Sequence, residues 1–214
     1  MQEESGAAGE RAPIDHEISR PMIDPDLLLQ AYRLGVFPMA MEDGEIRWFS
    51  PDPRTVLPLD AFHVPHGLKR ERRAQKIEIR IDTAFGEVIR ACAERADTWI
   101  NREIIESYLN LHKLGWAHSV EAWSPNDLVG GLYGVAIGGA FFGESMFHRV
   151  TGASKIALWA LVEQMRAQGF TLLDTQWLTP HLEQFGAKEI PRNLYLHLLN
   201  GAVDLPRTLV GPNA

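Results

Sequence analysis

The stretch Ser119-Val-Glu-Ala-Trp-Ser-Pro-Asn-Asp127, continued by Leu128-Val-Gly-Gly-Leu-Tyr-Gly-Val-Ala-Ile-Gly-Gly-Ala-Phe-Phe-Gly-Glu-Ser-Met-Phe-His148, decides the fold. It reads as three strands, Ser119–Trp123, Leu128–Ile137 and Ala140–Phe147. Ser124–Asp127 and Gly138-Gly139 are the turns, because Pro, Asn and Gly interrupt otherwise apolar runs. Turns this short join antiparallel neighbours, so the three strands form a meander. Downstream, Ala153–Gln168 places Ile156, Leu158, Trp159, Leu161, Val162 and Met165 at helical spacing and stops at Gly169. Phe170–Gln176 is then a fourth strand returning beside the meander. A further helix starts near Pro180 and ends at Gly186, and the tail carries one more over Asn193–Leu199.

Upstream, Asp24–Gly35 has an acidic cap, Pro25 in the first turn and a glycine stop, the marks of a helix. Val36–Met39 reads as an apolar turn and Glu45–Phe49 as a short strand. Thr55–Leu59 and Lys76–Ile81 are further strands, the second alternating Ile77, Ile79 and Ile81. Asp82 is expected to cap a helix through Phe85, Val88, Ile89 and Cys92, and a second helix covers Asn101 to Leu114.

The composition, 45% apolar and 23% charged over 214 residues, suits a chain with a real core. Its single cysteine, Cys92, excludes an internal disulfide and a thiolate zinc site, and fits a cytoplasmic protein. Residues 1–20 are polar and acidic, unlike a targeting segment, and are expected to be a disordered tail. The net charge of −7 opposes indiscriminate nucleic-acid binding. Residues 66–80 run against that balance with six basic and two acidic side chains, centred on Lys69-Arg-Glu-Arg-Arg73. They are either a solvated helix end or loop, or a local basic face.

Three polar side chains interrupt apolar strands: Glu144 after Phe141-Phe142-Gly143, and Asp174 and Gln176 after Leu172-Leu173. Asp174 and Gln176, two apart, share a strand face. A buried carboxylate or amide needs partners, so all three either brace the sheet or frame a cleft. The chain has no Gly-x-Ser-x-Gly elbow, phosphate loop, zinc signature or convincing Cys–His pair. Carboxylate and amide groups suit direct attack of a substrate amine on an activated acyl group. Meander, helix and returning strand are the arrangement of the acetyltransferase fold, whose coenzyme A members hold pyrophosphate on an Arg/Gln-x-x-Gly-x-Gly/Ala loop. Arg149-Val-Thr-Gly-Ala-Ser154 nearly matches it, as an ordinary capping turn also would.

A more specific likeness is carried by Asp52-Pro-Arg54, Thr98-Trp-Ile100, Ala117-His-Ser-Val-Glu121-x-Trp123, Leu128–Ala136, Phe142–Phe147 and Ala153-Ser-Lys155. From about Leu28 to Leu199 the chain resembles the leucyl/phenylalanyl-tRNA–protein transferases. That resemblance implies an α+β chain in which a small, trimmed N-terminal α/β domain (21–65) precedes an acetyltransferase-like, GNAT-type C-terminal domain with a mixed sheet (66–214). It implies transfer of leucine or phenylalanine, with methionine as a further candidate donor, from aminoacyl-tRNA to proteins beginning with Arg or Lys. The product is an N-degron. No metal, coenzyme A or other cofactor is implied, nor any membrane. The alternatives are a coenzyme A-dependent N-acetyltransferase and a non-catalytic tRNA-binding module.

By the same resemblance Glu144, Asp174 and Gln176 handle the amine. In one mechanism Gln176, polarised by Asp174, helps deprotonate it; in another the tRNA ribose takes the proton. Leu132, Phe141, Met146, Leu158, Leu161, Leu173 and Met39 form the pocket for the donor side chain, and core packing is the competing reading of the first six. Trp99 and Met146 lie near the terminal adenosine, while Lys69, Arg70, Arg72 and Arg73 contact the tRNA by charge. Three departures stand out: Pro21-Met-Ile23 where a Gly-Gly-acid-Leu turn is usual, Met39-Ala40 for an aromatic pair, and Gly152 for an Asp or Asn N-cap.

Overall fold

A computed structural model describes residues 22–95 and 98–211; the expected disordered tail, residues 1–20, lies outside them. The first helix, α1 (Pro25–Arg33), begins as its sequence requires. The Asp24 carboxylate accepts the N–H groups of Asp26 and Leu27 at 2.9 and 3.1 Å, and Pro25 opens the first turn. The chain then makes a hairpin of β1 (Phe37–Ala40) and β2 (Ile46–Phe49). The apolar turn expected at Val36–Met39 is therefore mostly strand, because Phe37, Pro38, Met39 and Ala40 lie opposite Phe49, Trp48, Arg47 and Ile46.

The remaining strands form one seven-stranded sheet, in the order β4-β5-β6-β7-β8-β3-β9. They are β3 (Arg54–Val56), β4 (Glu78–Ile81), β5 (Ala117–Ser124), β6 (Asp127–Ile137), β7 (Ala140–His148), β8 (Leu172–Gln176) and β9 (Lys188–Ile190). The predicted meander is β5-β6-β7, and β4 extends it antiparallel. Helix α5 (Ala153–Ala167) carries the chain over the sheet, so β8 returns parallel to β7. The architecture is thus a mixed-sheet α+β fold of the acetyltransferase kind. β3, from the N-terminal part of the chain, pairs antiparallel with β8 and with β9.

The other helices are α2 (Leu68–Ala74), α3 (Phe85–Ala93), α4 (Arg102–Lys113), α6 (Pro180–Glu183) and α7 (Arg192–Val203). Strand alternation divides the core between the sheet's two faces. Phe142 and Tyr133 pack with α1, α3, α4 and α7, whereas Phe141, Leu132 and Leu173 pack with α5. Gly134 permits this close stacking: a Cβ there would run into the Phe142 carbonyl and the Phe141 ring.

Of two helix-cap expectations, one changes and one holds. Asp82 does not cap α3, which starts later at Phe85 without a side-chain cap. Its carboxylate instead accepts the Ser119 N–H at 2.9 Å and lies 2.7 Å from His118 Nδ1, tying β4 to β5. Gly152 does leave α5 without a side-chain N-cap, in a left-handed conformation (φ 84°). A Cβ there would come within 2.5 Å of Glu71 Oε2, so a carboxylate from α2 occupies the space that a capping side chain would need. An anion so placed complements the positive end of α5.

Candidate active site

The cleft follows from strand geometry. β7 and β8 pair for only three positions, ending at Phe142 opposite Asp174. Beyond that point β8 is held by β3 while β7 stays with β6, and the two strands part. β7 also bulges: Tyr133 and Gly134 oppose Ser145 and Gly143, which leaves Glu144 as the extra residue. Bulges re-aim side chains, and here the result is a carboxylate turned into the gap. Across the gap β8 ends at Gln176.

A cavity of about 440 Å³ occupies the opening. One wall is apolar, built from Leu132 and Met146 of the meander, Leu158 and Leu161 of α5, and Leu173 of β8. Met39 and Phe37 of the hairpin and Trp99 close another side; the Ala40 N–H bond to the Trp99 carbonyl (3.1 Å) fixes Trp99 beside the hairpin. Six of the seven residues expected to form the donor pocket therefore meet at this cavity. Phe141 does not line it; it is fully buried behind the wall, against Gly134. Glu144, Gln176, Thr175, Ser145, His148, His181 and Arg95 supply the polar lining.

Glu144 accepts a hydrogen bond from the Tyr32 hydroxyl at 2.7 Å, and the Tyr108 hydroxyl, bonded to that of Tyr32, stands 3.5 Å from the other Glu144 oxygen. Burial pushes its carboxyl up to about 8, helped by the Asp174 charge and opposed by the Tyr32 bond and by Arg54. Empty, the cleft thus holds Glu144 largely protonated at neutral pH. A cation arriving beside it favours the ionised form, so ionisation and binding of a positive ligand are coupled. Burial and the neighbouring Glu144 raise Tyr32 and Tyr108 well above the usual phenol range, so both remain donors.

Asp174 lies below the cleft floor. Arg54 Nε and Nη2 donate to its two oxygens at 2.9 and 2.6 Å, and the Tyr195 hydroxyl donates to Oδ2 at 2.7 Å. Its contact with Gln176 is through the backbone N–H, which donates to Oδ1 at 3.0 Å. Gln176 itself is buried, adopts φ 60°, and its Nε2 has no hydrogen-bond partner among the described residues. Its side-chain amide is thus available to a ligand.

The basic residues lie on the far side of α5. Lys69, Arg70, Arg72 and Arg73 belong to α2, so the run is a helix, and all but Arg70 border a shallow hollow with Lys76, Ile77 and Trp159. Lys69 Nζ and Arg72 Cζ stand 5.8 and 5.4 Å from the Trp159 ring centre. Among the described residues no group of His, Cys, Asp and Glu gathers as a metal site, and no helix is long and apolar enough to cross a membrane. Cys92 is buried, which pushes its thiol up to about 12 and removes it as a nucleophile. The Arg149–Ser154 loop does not fit a pyrophosphate: the N–H groups of Arg149 and Val150 bond the Val129 carbonyl, that of Ala153 bonds Val150, and Glu71 stands at the helix start.

Sequence reasoning missed Arg54, Tyr32, Tyr108 and Tyr195. Each lies far along the chain from the side chain it holds, by 120, 112, 36 and 21 positions respectively, and no local pattern links them. The motif Asp52-Pro-Arg54 was the one available signal.

The family described as "Leucyl/phenylalanyl-tRNA protein transferase" matches residues 56–200, and the N-terminal domain of that family matches residues 22–52. A leucyl/phenylalanyl-tRNA–protein transferase of Salinibacter ruber is 56% identical over 184 residues, spanning 86% of this chain and 81% of that protein. One of Herpetosiphon aurantiacus is 55% identical over 187 residues, spanning 87% and 97%. Among solved structures, L-PGS from Bacillus licheniformis aligns with 83% of this chain and 70% of its own, at a TM-score of 0.45 and 12% identity.

Proposed function

The chain belongs to the leucyl/phenylalanyl-tRNA–protein transferase family, and on that premise we propose that it moves leucine or phenylalanine from aminoacyl-tRNA to the N-terminal Arg or Lys of acceptor proteins in the cytoplasm. It is an aminoacyltransferase. The observation that carries the finer reading is the cavity, in which an apolar wall faces Glu144 and the Gln176 amide.

The donor ester is already activated, so the reaction needs positioning more than covalent chemistry. The leucine or phenylalanine side chain seats against Leu132, Met146, Leu158, Leu161 and Leu173, with Met39 at the margin. The terminal adenosine lies toward Trp99 and Met146. The basic face of α2, with Lys69, Arg70, Arg72 and Arg73, draws the acceptor stem by charge. The acceptor α-amine attacks the ester carbonyl; an N–C bond forms, the C–O bond to the ribose breaks, and the amine proton ends on the departing ribose hydroxyl. Gln176 orients the reacting groups through its free amide, and Glu144 balances the acceptor's cationic side chain. The peptide bond formed marks the product as an N-degron.

Transfer of labelled leucine or phenylalanine from charged tRNA to peptides starting with Arg, Lys or Ala tests the reading. Incorporation into the first two and not the third is expected. Acetyl transfer from acetyl-coenzyme A without any use of charged tRNA would overturn it, and the obstructed Arg149–Ser154 loop argues against that outcome.

A further inference from the structure

Arg54 has no place in the chemistry above, yet it is 1% exposed and paired to an Asp174 that is 0% exposed. Burying an ion pair is costly unless its geometry is excellent and every lone pair is used. Here the geometry is specific. The guanidinium lies 4.8 Å from the centre of the Phe37 ring and 4.6 Å from that of Tyr195. Its Nη1 donates to the Gly35 carbonyl at 3.1 Å, while Nε and Nη2 take one Asp174 oxygen each. The Tyr195 hydroxyl adds a bond to Oδ2, and the Gln176 N–H adds one to Oδ1. Four donors therefore occupy the carboxylate, and nothing is left for it to accept from a substrate amine.

The Gln176 N–H bond matters because of the backbone it stabilises. Gln176 sits at φ 60°, a left-handed conformation disfavoured for any residue with a Cβ. In a continuing strand its side chain would stand differently; the left-handed turn leaves it lining the cavity with Nε2 unpartnered. The turn is bonded to Asp174 through the Gln176 N–H at 3.0 Å, with the Asp174 side chain held in one orientation by Arg54. A fork of two parallel bonds fixes both charge and plane, which a lysine could not do.

We propose that Arg54 is the positioning residue of this site, acting through Asp174 to hold the strained turn that presents the Gln176 amide. The inference rests on the transferase reading above and deepens it. Asp174 then works on the backbone of Gln176 and is not a proton acceptor. Tyr195 serves the same end through its bond to Oδ2.

A buried pair that merely braces the sheet would lower stability when altered, but its effect on rate would not depend on Gln176. The test is therefore a cycle of transfer kinetics on the full chain: wild type, Arg54→Lys, Tyr195→Phe, Gln176→Ala, and Arg54→Lys and Tyr195→Phe each combined with Gln176→Ala. Loss of a charge-assisted bond is expected to lower kcat about tenfold or more in Arg54→Lys and Tyr195→Phe, with both KM values within about threefold. In the Gln176→Ala background the same changes should cost less than about twofold, since they act through a side chain already absent. Equal losses in both backgrounds, a rise in KM at unchanged kcat, or a Gln176→Ala variant at the wild-type rate would each overturn the proposal. Should Arg54→Lys fail to fold by circular dichroism, Tyr195→Phe, which keeps the ring and removes one hydroxyl, decides alone. Wild-type protein that transfers neither amino acid refutes the transferase reading, and the proposal with it. Active wild type with independent losses refutes the Arg54 proposal only.

Discussion

Replacing Glu144 by Gln is expected to make the protein more stable than wild type above about pH 4.5, by an amount that grows until about pH 8 and then levels off. Burial lifts the Glu144 carboxyl from its ordinary 4.5 to about 8, so the folded chain binds this proton more tightly than the unfolded chain does. The resulting stabilisation is fully present below about pH 4.5 and is lost progressively as the pH rises through about 8. At 1.36 kcal/mol per pH unit the whole span is worth about 5 kcal/mol. Glu144 faces an open cavity, and screening by water there reduces the expected difference to roughly 2–3 kcal/mol. Glutamine keeps an acceptor oxygen for the Tyr32 hydroxyl and never ionises, so Glu144→Gln escapes the alkaline loss. Urea unfolding of both proteins at about pH 5, 7 and 9 provides the measurement. The two stabilities should nearly coincide at the lowest pH and diverge in favour of the variant at the highest. Parallel stability curves across this range would show that Glu144 titrates like a solvated carboxylate, and the coupling of its ionisation to a cationic ligand would fall with that result.

Asp174→Asn should cost about 3–5 kcal/mol in urea unfolding, because it leaves the buried Arg54 without its counter-charge; a loss under about 1 kcal/mol would mean the pair is hydrated. Gly134→Ala should destabilise by roughly 1–3 kcal/mol through overpacking between the Phe142 carbonyl and the Phe141 ring. A variant as stable as wild type would show that β6 can move away from β7. Substituting Arg70, Arg72 and Arg73 together by Ala should lower the slope of log tRNA affinity against log salt by about 2–3, with roughly one counterion released per lost phosphate contact. An unchanged slope would remove α2 from the tRNA surface.

Much of this fold was legible in the residue order. Gly and Pro punctuate the chain at the ends of β5, β6 and α5, and hydrophobic spacing switches from two to helical between β7 and α5, so these elements came out within a residue or two. Short elements were harder. β1 spans four residues and β9 three, too few for any periodicity to emerge, and they are strands only because partners lie alongside. Asp82 carries the local signature of a helix cap, but the Ser119 N–H and His118 compete for its carboxylate once β5 lies beside β4.

At the site the division is similar. The sequence by itself determined that Glu144, Asp174 and Gln176 interrupt apolar strands, that the chain has a family likeness, and that one basic run stands out from an acidic whole. Only the tertiary structure decided what those groups do to one another. It parts β7 from β8 and puts Glu144 on a bulge under two phenols. It withdraws Asp174 beneath the floor onto Arg54 and leaves Phe141 behind the pocket wall rather than in it. The physical reason is that side-chain type and local spacing are one-dimensional properties. Charge state, backbone strain and access to a cavity depend instead on neighbours 21 to 120 positions away, and those neighbours exist only after the sheet has closed around them.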